Sequence, residues 1–439
     1  MLEAIGNALR IPELRRKILF TLGLFLVFRI LAHIAVPGAD KAALDRLFNS
    51  NAFLGLLDLF SGGGLSTFSI IAMGVNPYIN ASIIMQLMTV VSSRMKELSK
   101  EGEFGRRKIT RWTRWLTVAL GLLQAWGLTL VFSRQGVLTN LNWSGIVEIM
   151  VTLTAGTVML MWFGELITEY GIGNGVSLII FAGIIGRGPQ GVAAVFAAKS
   201  AGGGLADYVP FIIFGLIALV MTAVIIEVQQ AVRKIPIQSA QRTVGLKQVQ
   251  SRASFLPLRV NHAGVIPIIF AISVMFLPTI VANYFTGAPP DTWYYKAAAW
   301  VRGNFAPDTA NLPMAITYNA LYFAFTFGFT YFYTAITFDV NEVADNLKRY
   351  SSFIPGIRPG RPTADYLAAV MNRVTFAGAT FLGFITVILP IATAKISGIS
   401  HQQMYLGGTA ILIVVGVALD TMKQLQTQLV MRQYRGFIR

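Results

Sequence analysis

Little in the chain is suited to covalent or metal chemistry. It has no cysteine and three scattered histidines, His33, His262 and His401, so nothing supports a thiolate nucleophile, a disulfide framework or a zinc cluster. No glycine-rich turn ends in Gly-Lys-Ser/Thr, so the chain carries no phosphate cradle and is not itself an ATP-driven motor. Gly171-Ile172-Gly173-Asn174-Gly175 has the glycines of a dinucleotide turn but lacks the soluble strand that must precede one. The charges within apolar stretches, Arg29, Glu148, Arg373 and Asp420, fall mostly near the ends of those stretches, which argues against a proton relay at mid-membrane. The expectation is a protein with no catalytic residue, no metal and no cofactor.

What the sequence offers instead is a set of polar or glycine-rich features in apolar surroundings. The stretch Leu57-Asp58-Leu59-Phe60-Ser61-Gly62-Gly63-Gly64-Leu65-Ser66-Thr67-Phe68 is too polar and glycine-rich for a lipid-facing helix. It reads either as an interfacial helix in an ordinary loop or as a short element that enters from one side and sits in a cavity. Pro77 then starts a new helix. Val75 and Ile79 share a face of that helix if it extends back through Val75; such a face means packing, or else an apolar constriction that water and ions enter reluctantly. Asn80, Gln86 and Gln124 lie in apolar runs where an unpaired amide is costly, so they face other helices or a cavity.

Two loops are basic. The first, from Val232 to His262, carries Arg233, Lys234, Arg242, Lys247, Arg252 and Arg259; the second carries Lys348, Arg349, Arg358 and Arg361. Membrane orientation alone explains charge there. It does not explain Pro355-Gly356-Ile357-Arg358-Pro359-Gly360, a rigid frame that presents one guanidinium with little entropy to lose and suits an acidic or phosphate-rich partner.

The elements that must position these residues follow from composition. Of 439 residues, 54% are apolar and only 13% charged, which excludes an ordinary soluble enzyme, and a net charge of +16 sits between apolar runs where lipid headgroups are the natural counterpart. Eight runs are long enough to cross a bilayer: Ile18 to Val36, Trp115 to Phe132, Val147 to Ile167, Phe211 to Val228, Gly264 to Phe285, Ala315 to Phe338, Leu367 to Ala392 and Leu406 to Met422. A broken region from Leu54 to Val91 and a short one from Ile172 to Ile185 bring the expected count to ten transmembrane helices in an all-α fold. Most of the 36 Lys and Arg residues then fall on the side that holds both termini, so both termini are expected in the cytoplasm. Ala201-Gly202-Gly203-Gly204 divides the chain into halves of five spans, residues 1–200 and 201–439, which must be oppositely oriented if related. No convincing self-similarity joins the halves.

Several strings in order, Phe60-Ser61-Gly62-Gly63-Gly64-Leu65-Ser66, Pro77-Tyr78-Ile79-Asn80-Ala81-Ser82, Glu101-Gly102-Glu103-Phe104-Gly105-Arg106-Arg107, Asn261-His262-Ala263-Gly264-Val265-Ile266-Pro267 and Ala344-Asp345-Asn346-Leu347-Lys348, resemble the SecY family of bacterial protein-translocase channel subunits. The resemblance implies two inverted five-helix halves around a central pore, with a plug over Leu57 to Phe68 and an aliphatic ring of Val75, Ile79, Ile180, Ile269 and Ile413. It implies a lateral gate near Asn80, Gln86 and Gln124, and a docking surface for a SecA motor or a ribosome on Arg233, Lys234, Arg242, Lys247, Lys348, Arg349, Arg358 and Arg361. SecE and SecG subunits, translocating polypeptides with signal sequences and membrane lipids complete the implied partners. Competing readings are a secondary transporter with discontinuous helices and a purely structural membrane scaffold.

Overall fold

The apolar runs form long helices because a backbone without water must satisfy its own hydrogen bonds. A computed structural model describes residues 6, 9–50, 54–55, 58, 61–138, 142–199, 209–239, 243–244, 247–248, 254–287, 289–305, 312–397 and 408–436. The first half of the chain comprises α1 (Pro12–Leu31), α2 (Lys41–Ser50), α3 (Asn76–Val91), α4 (Ser93–Lys100), α5 (Glu103–Arg134), α6 (Trp143–Tyr170) and α7 (Gly175–Lys199). The second comprises α8 (Val209–Gln230), strands β1 (Val232–Ser239), β2 (Thr243–Val244), β3 (Lys247–Gln248) and β4 (Ser254–Arg259), then α9 (Ile266–Asn283) with a 3-10 turn over Tyr284–Gly287. After these come α10 (Trp293–Phe305), α11 (Leu312–Thr337), α12 (Val340–Arg349), β5 (Ser352–Phe353), α13 (Arg361–Ser397) and α14 (Gly408–Gly436).

Among the described residues, seven helices are long and apolar enough to cross a membrane; they fall in α5, α6, α8, α9, α11, α13 and α14. The other three expected spans fall short of that measure for separate reasons. The α1 helix carries Arg15, Arg16, Lys17 and Arg29, α3 has 16 residues, and the stretch of α7 whose side chains are described covers only Gly175–Gly188. Large apolar side chains point outward from α1 (Leu19, Leu22, Leu26) and α8 (Ile212, Leu216, Leu219), where hydrocarbon is their natural solvent.

Two expectations need correction. The first basic loop is not irregular: β1 pairs antiparallel with β4 from Val232 opposite Arg259 to Ile237 opposite Ser254, and β5 adds to the other edge of β1. The fold is therefore a helical bundle with a small sheet, not purely α. The short span expected to end at Ile185 continues to Lys199 as α7, which brings Arg187, expected outside the membrane, into a buried position inside the helix.

Candidate functional site

Leu57, Leu59 and Phe60 lie outside the described residues; the rest of the glycine-rich segment is folded into the core, with Ser61, Leu65 and Phe68 all buried. Its glycines turn the chain at Gly62 (φ 65) and Gly63 (φ 94). Phe68 also lies in the left-handed region (φ 45), a conformation that costs a non-glycine residue on the order of 1 kcal/mol or more. Packing of its ring on Phe132 at 5.2 Å and a hydrogen bond from the Val36 amide to its carbonyl, 2.8 Å, offset that strain.

Beneath the glycine turn is a buried charge cluster. Of the three ion pairs among the described residues, two lie on the surface, whereas Arg187 on α7 pairs with Asp58, whose side chain is wholly buried. The other Asp58 oxygen accepts from the amides of Leu65 (3.0 Å) and Ser66 (2.9 Å) and from the Ser61 hydroxyl (3.2 Å). Arg187 also donates to the Ser66 hydroxyl at 3.0 Å, and Arg29 on α1 donates to the carbonyls of Gly62 (2.9 Å) and Gly186 (3.2 Å). Two helices thus hold one loop by charge-assisted bonds, the strong kind. Sequence reading missed this because Asp58 and Arg187 are far apart in the chain; the signal within reach was an arginine beyond a span otherwise rich in isoleucine.

Val75, Ile79, Ile180, Ile269 and Ile413 are all buried and belong to one continuous apolar core. Their placement has a regularity that the sequence reading overlooked. Gly74-Val75-Asn76-Pro77-Tyr78-Ile79 opens α3, and Gly264-Val265-Ile266-Pro267-Ile268-Ile269 opens α9. The two starts share backbone geometry: glycines at φ 58 and 65, valines at φ −93, ψ 5 and φ −96, ψ −8 in the N-cap position, and proline in the first turn. Ile180 lies in the second turn of α7, which starts at Gly175, and Ile413 lies in α14.

Asn80 and Gln124 are buried and line one cavity of about 60 Å³ between α3, α5 and α9, together with Asn76, Gly127 and Ser273. Asn76 Oδ1, Asn80 Oδ1 and Gln124 Nε2 find no hydrogen-bond partner among the described residues, so this seam is polar and imperfectly closed. Gln86 does not join it; its amide donates to Ser82 Oγ one turn back on α3, at 3.2 Å.

The small sheet unites the two basic loops, because β5 lies against β1 at Gln238 opposite Phe353 and Ser239 opposite Ser352. Ile235, Leu258, Ile354, Leu367 and Met371 form a separate core beneath it. Arg233, Lys234, Lys348, Arg349, Arg358 and Arg361 are exposed; Arg242 and the Lys247 side chain lie outside the described residues. Gly356 (φ 82) and Gly360 (φ 104) set the turn around Arg358, and Thr363 Oγ1 fixes the Arg358 carbonyl at 2.8 Å. Nearby His262 has its pKa lowered, first by burial and then by the Arg259 charge.

These features describe a helical membrane protein whose centre is apolar, holds a glycine-rich loop and contains no group of three or more metal-ligating side chains among the described residues. A SecY family model matches residues 69–422. Curated relatives include the protein translocase subunits SecY of Halalkalibacterium halodurans, 44% identical over 445 residues, and of Streptomyces scabiei, 43% identical over 454, each covering all of both chains. Among solved structures, a protein-conducting channel aligns with a TM-score of 0.65 at 18% identity, covering 95% of this chain and 93% of that one. Sec61 in a canine ribosome–channel complex from the endoplasmic reticulum aligns with a TM-score of 0.62 at 17% identity, covering 95% and 93%. The chain belongs to the SecY family. It is a membrane-embedded protein-conducting channel subunit and not an enzyme.

Proposed function

We propose that α1, α3 and α7 cross the membrane with the seven long apolar helices, giving ten spans in two oppositely oriented halves, residues 1–200 and 201–439. The observation that carries this reading is the matched pair of helix starts at Gly74–Ile79 and Gly264–Ile269, the kind of correspondence that inverted repeats produce. In this reading Val75, Ile79, Ile180, Ile269 and Ile413 ring the narrowest point of a pore, and the segment from Leu57 to Phe68 plugs it. Aliphatic side chains make no directional bonds, so they can close around an extended peptide of any sequence while resisting ions. The seam of Asn80 and Gln124 is the gate through which apolar segments leave for lipid, with Gln86 further along α3. Both termini are cytoplasmic, in a bacterial inner membrane, and SecE and SecG accompany the chain.

A photoreactive probe at Ile180 tests the pore. With a secretory precursor stalled halfway, adducts are expected along the translocating segment and are expected to vanish when the precursor lacks its signal sequence. If control probes elsewhere in the channel react and Ile180 does not, the ring assignment fails; if none reacts, a small-solute transporter becomes the better reading.

Directional work must come from outside, since the chain has no nucleotide motif. We assign docking of a SecA motor or ribosome to the face that carries Arg233, Arg349 and Arg358, whose charges are presented by a sheet with its own core. Arg358→Glu is expected to weaken motor binding by about ten-fold or more, the scale of a charge reversal at an interface anchor. Binding of purified motor to reconstituted channel measures this, and unchanged affinity would remove Arg358 from the docking surface.

A further inference from the structure

The helix α10 presents a face that the plug, ring and docking readings leave unused. Trp293, Lys296, Ala297 and Trp300 are exposed and spaced along one side of the helix, and the two indoles are 79% and 60% exposed. The other side, with Ala298 and Asn304 buried, packs on α9 and α11. Thr292 fixes the helix start: its hydroxyl donates to the Pro289 carbonyl at 2.7 Å, and its own carbonyl accepts from the Lys296 amide at 3.2 Å. Near the other end Gly303 lies close against Met314 of α11, where a Cβ would fall 2.8 Å from the sulfur. The stripe is therefore held in one orientation.

Its place in the chain says what medium that face meets. The spans α9, which begins just after β4, and α11 are both long and apolar enough to cross the membrane, so α10 joins them at the membrane surface away from the small sheet. With 13 residues, about 20 Å of helix, α10 is too short to cross. Its exposed stripe continues the lipid-facing surface of the spans. Phe285, exposed just past α9, packs its ring on Tyr294 at 5.9 Å, and Tyr294 packs on Trp293 at 5.9 Å. A third indole marks the same level: Arg134 at the end of α5 donates to the Tyr284 carbonyl at 2.9 Å, which brings the ends of α5 and α9 together, and Trp143 then opens α6 with 76% exposure. Indoles collect at that level of a membrane because the ring is apolar and its N–H is polar. The two charges on α10, Lys296 and Arg302, are both positive, the sign that suits lipid phosphate.

We propose that α10 is a membrane anchor that lies flat in the headgroup layer of the leaflet away from the sheet, with Trp293 and Trp300 at the acyl boundary and Lys296 among the phosphates. It thereby holds the joined ends of α9 and α11 at one depth. The proposal needs α9 and α11 as spans and neither the pore ring nor the docking face. Lipid is the occupant that accounts both for a stripe running on from lipid-facing side chains and for a lysine set between its tryptophans, where the stem lies on apolar surface and the ammonium reaches the phosphates.

The chain has no cysteine, so Ala297→Cys labelled with the dye NBD, in the purified channel complex reconstituted into phosphatidylethanolamine–phosphatidylglycerol vesicles, reports on this face alone. Spin-labelled lipids are expected to quench the dye and to place it about 5–10 Å into the headgroup–acyl boundary, while iodide in the water quenches it far less than the free dye. Full iodide quenching without lipid quenching puts α10 in water and overturns the anchor. Protection from both quenchers means that protein, a second copy or a partner, covers the stripe, and that overturns it too. Trp293→Ser with Trp300→Ser is expected to release the dye, bringing iodide quenching most of the way to the free-dye level, whereas tyrosine at both positions keeps an interfacial aromatic and leaves the dye in place. An unchanged depth in the serine pair shows that the indoles do not anchor the helix. Equal release in the serine and tyrosine pairs shows that the indoles serve packing, and either result overturns the assignment.

Discussion

Asp58→Asn is expected to unseat the glycine-rich segment and to raise the labelling rate of a cysteine introduced at Ile71, a residue with no exposure, by about 100- to 1,000-fold. The argument is one of imbalance. Asparagine is nearly the size of aspartate and its carbonyl still accepts from the Leu65 and Ser66 amides, so packing and two backbone bonds survive. What disappears is the negative charge opposite Arg187, whose side chain is only 10% exposed. Removing the charge of one partner of a buried ion pair costs about 3–5 kcal/mol, and the least costly relief is for the loop to move so that water reaches the cation. The chain has no cysteine of its own, so labelling at Ile71 reports this opening without background. Adding Arg187→Met should return labelling most of the way to the starting rate, because removing both partners of a buried pair costs far less than removing one. Labelling that stays at the starting rate in Asp58→Asn would mean that the ion pair does not hold the segment.

That pair marks where sequence reasoning reached and where it stopped. The odd composition of residues 57 to 68, the helix start at Pro77 and the rigid frame around Arg358 were visible because each is local: glycine and proline act on their own backbone. The Asp58–Arg187 pair was not, because it joins residues that only tertiary packing brings together. The basic loop hid its strands for a related reason. Pro236 and Pro257 interrupt β1 and β4, and the ladder becomes evident only when the partner strand is known. The repeat of Gly-Val-x-Pro-x-Ile was legible in principle. It escaped notice because the helices that follow it diverge, with Asn80 at a position where α9 has Phe270.

In the proposed reading the segment and the aliphatic ring are two barriers in series, and this leads to the other large effect. Ile180 and Ile413 are fully buried in α7 and α14, and in the proposed ring their walls exclude water because hydrocarbon offers it no hydrogen bonds. Ile180→Asn supplies an amide that must find a partner, and water is the partner a pore can admit. Alone, the substitution is expected to raise ion flux through reconstituted channel by about ten-fold, with the seated loop still closing the path most of the time. Combined with Asp58→Asn the free energies of two barriers fall together, so their effects multiply: a 100-fold shift in the loop and about ten-fold easier wetting give about 1,000-fold more flux. Ile180→Val is the control, because it trims a methyl group yet keeps the wall dry, and its flux should follow Asp58→Asn alone. Flux that merely adds in the double variant would mean that Ile180 packs the core without lining the path, and that the loop is then the only seal this centre has.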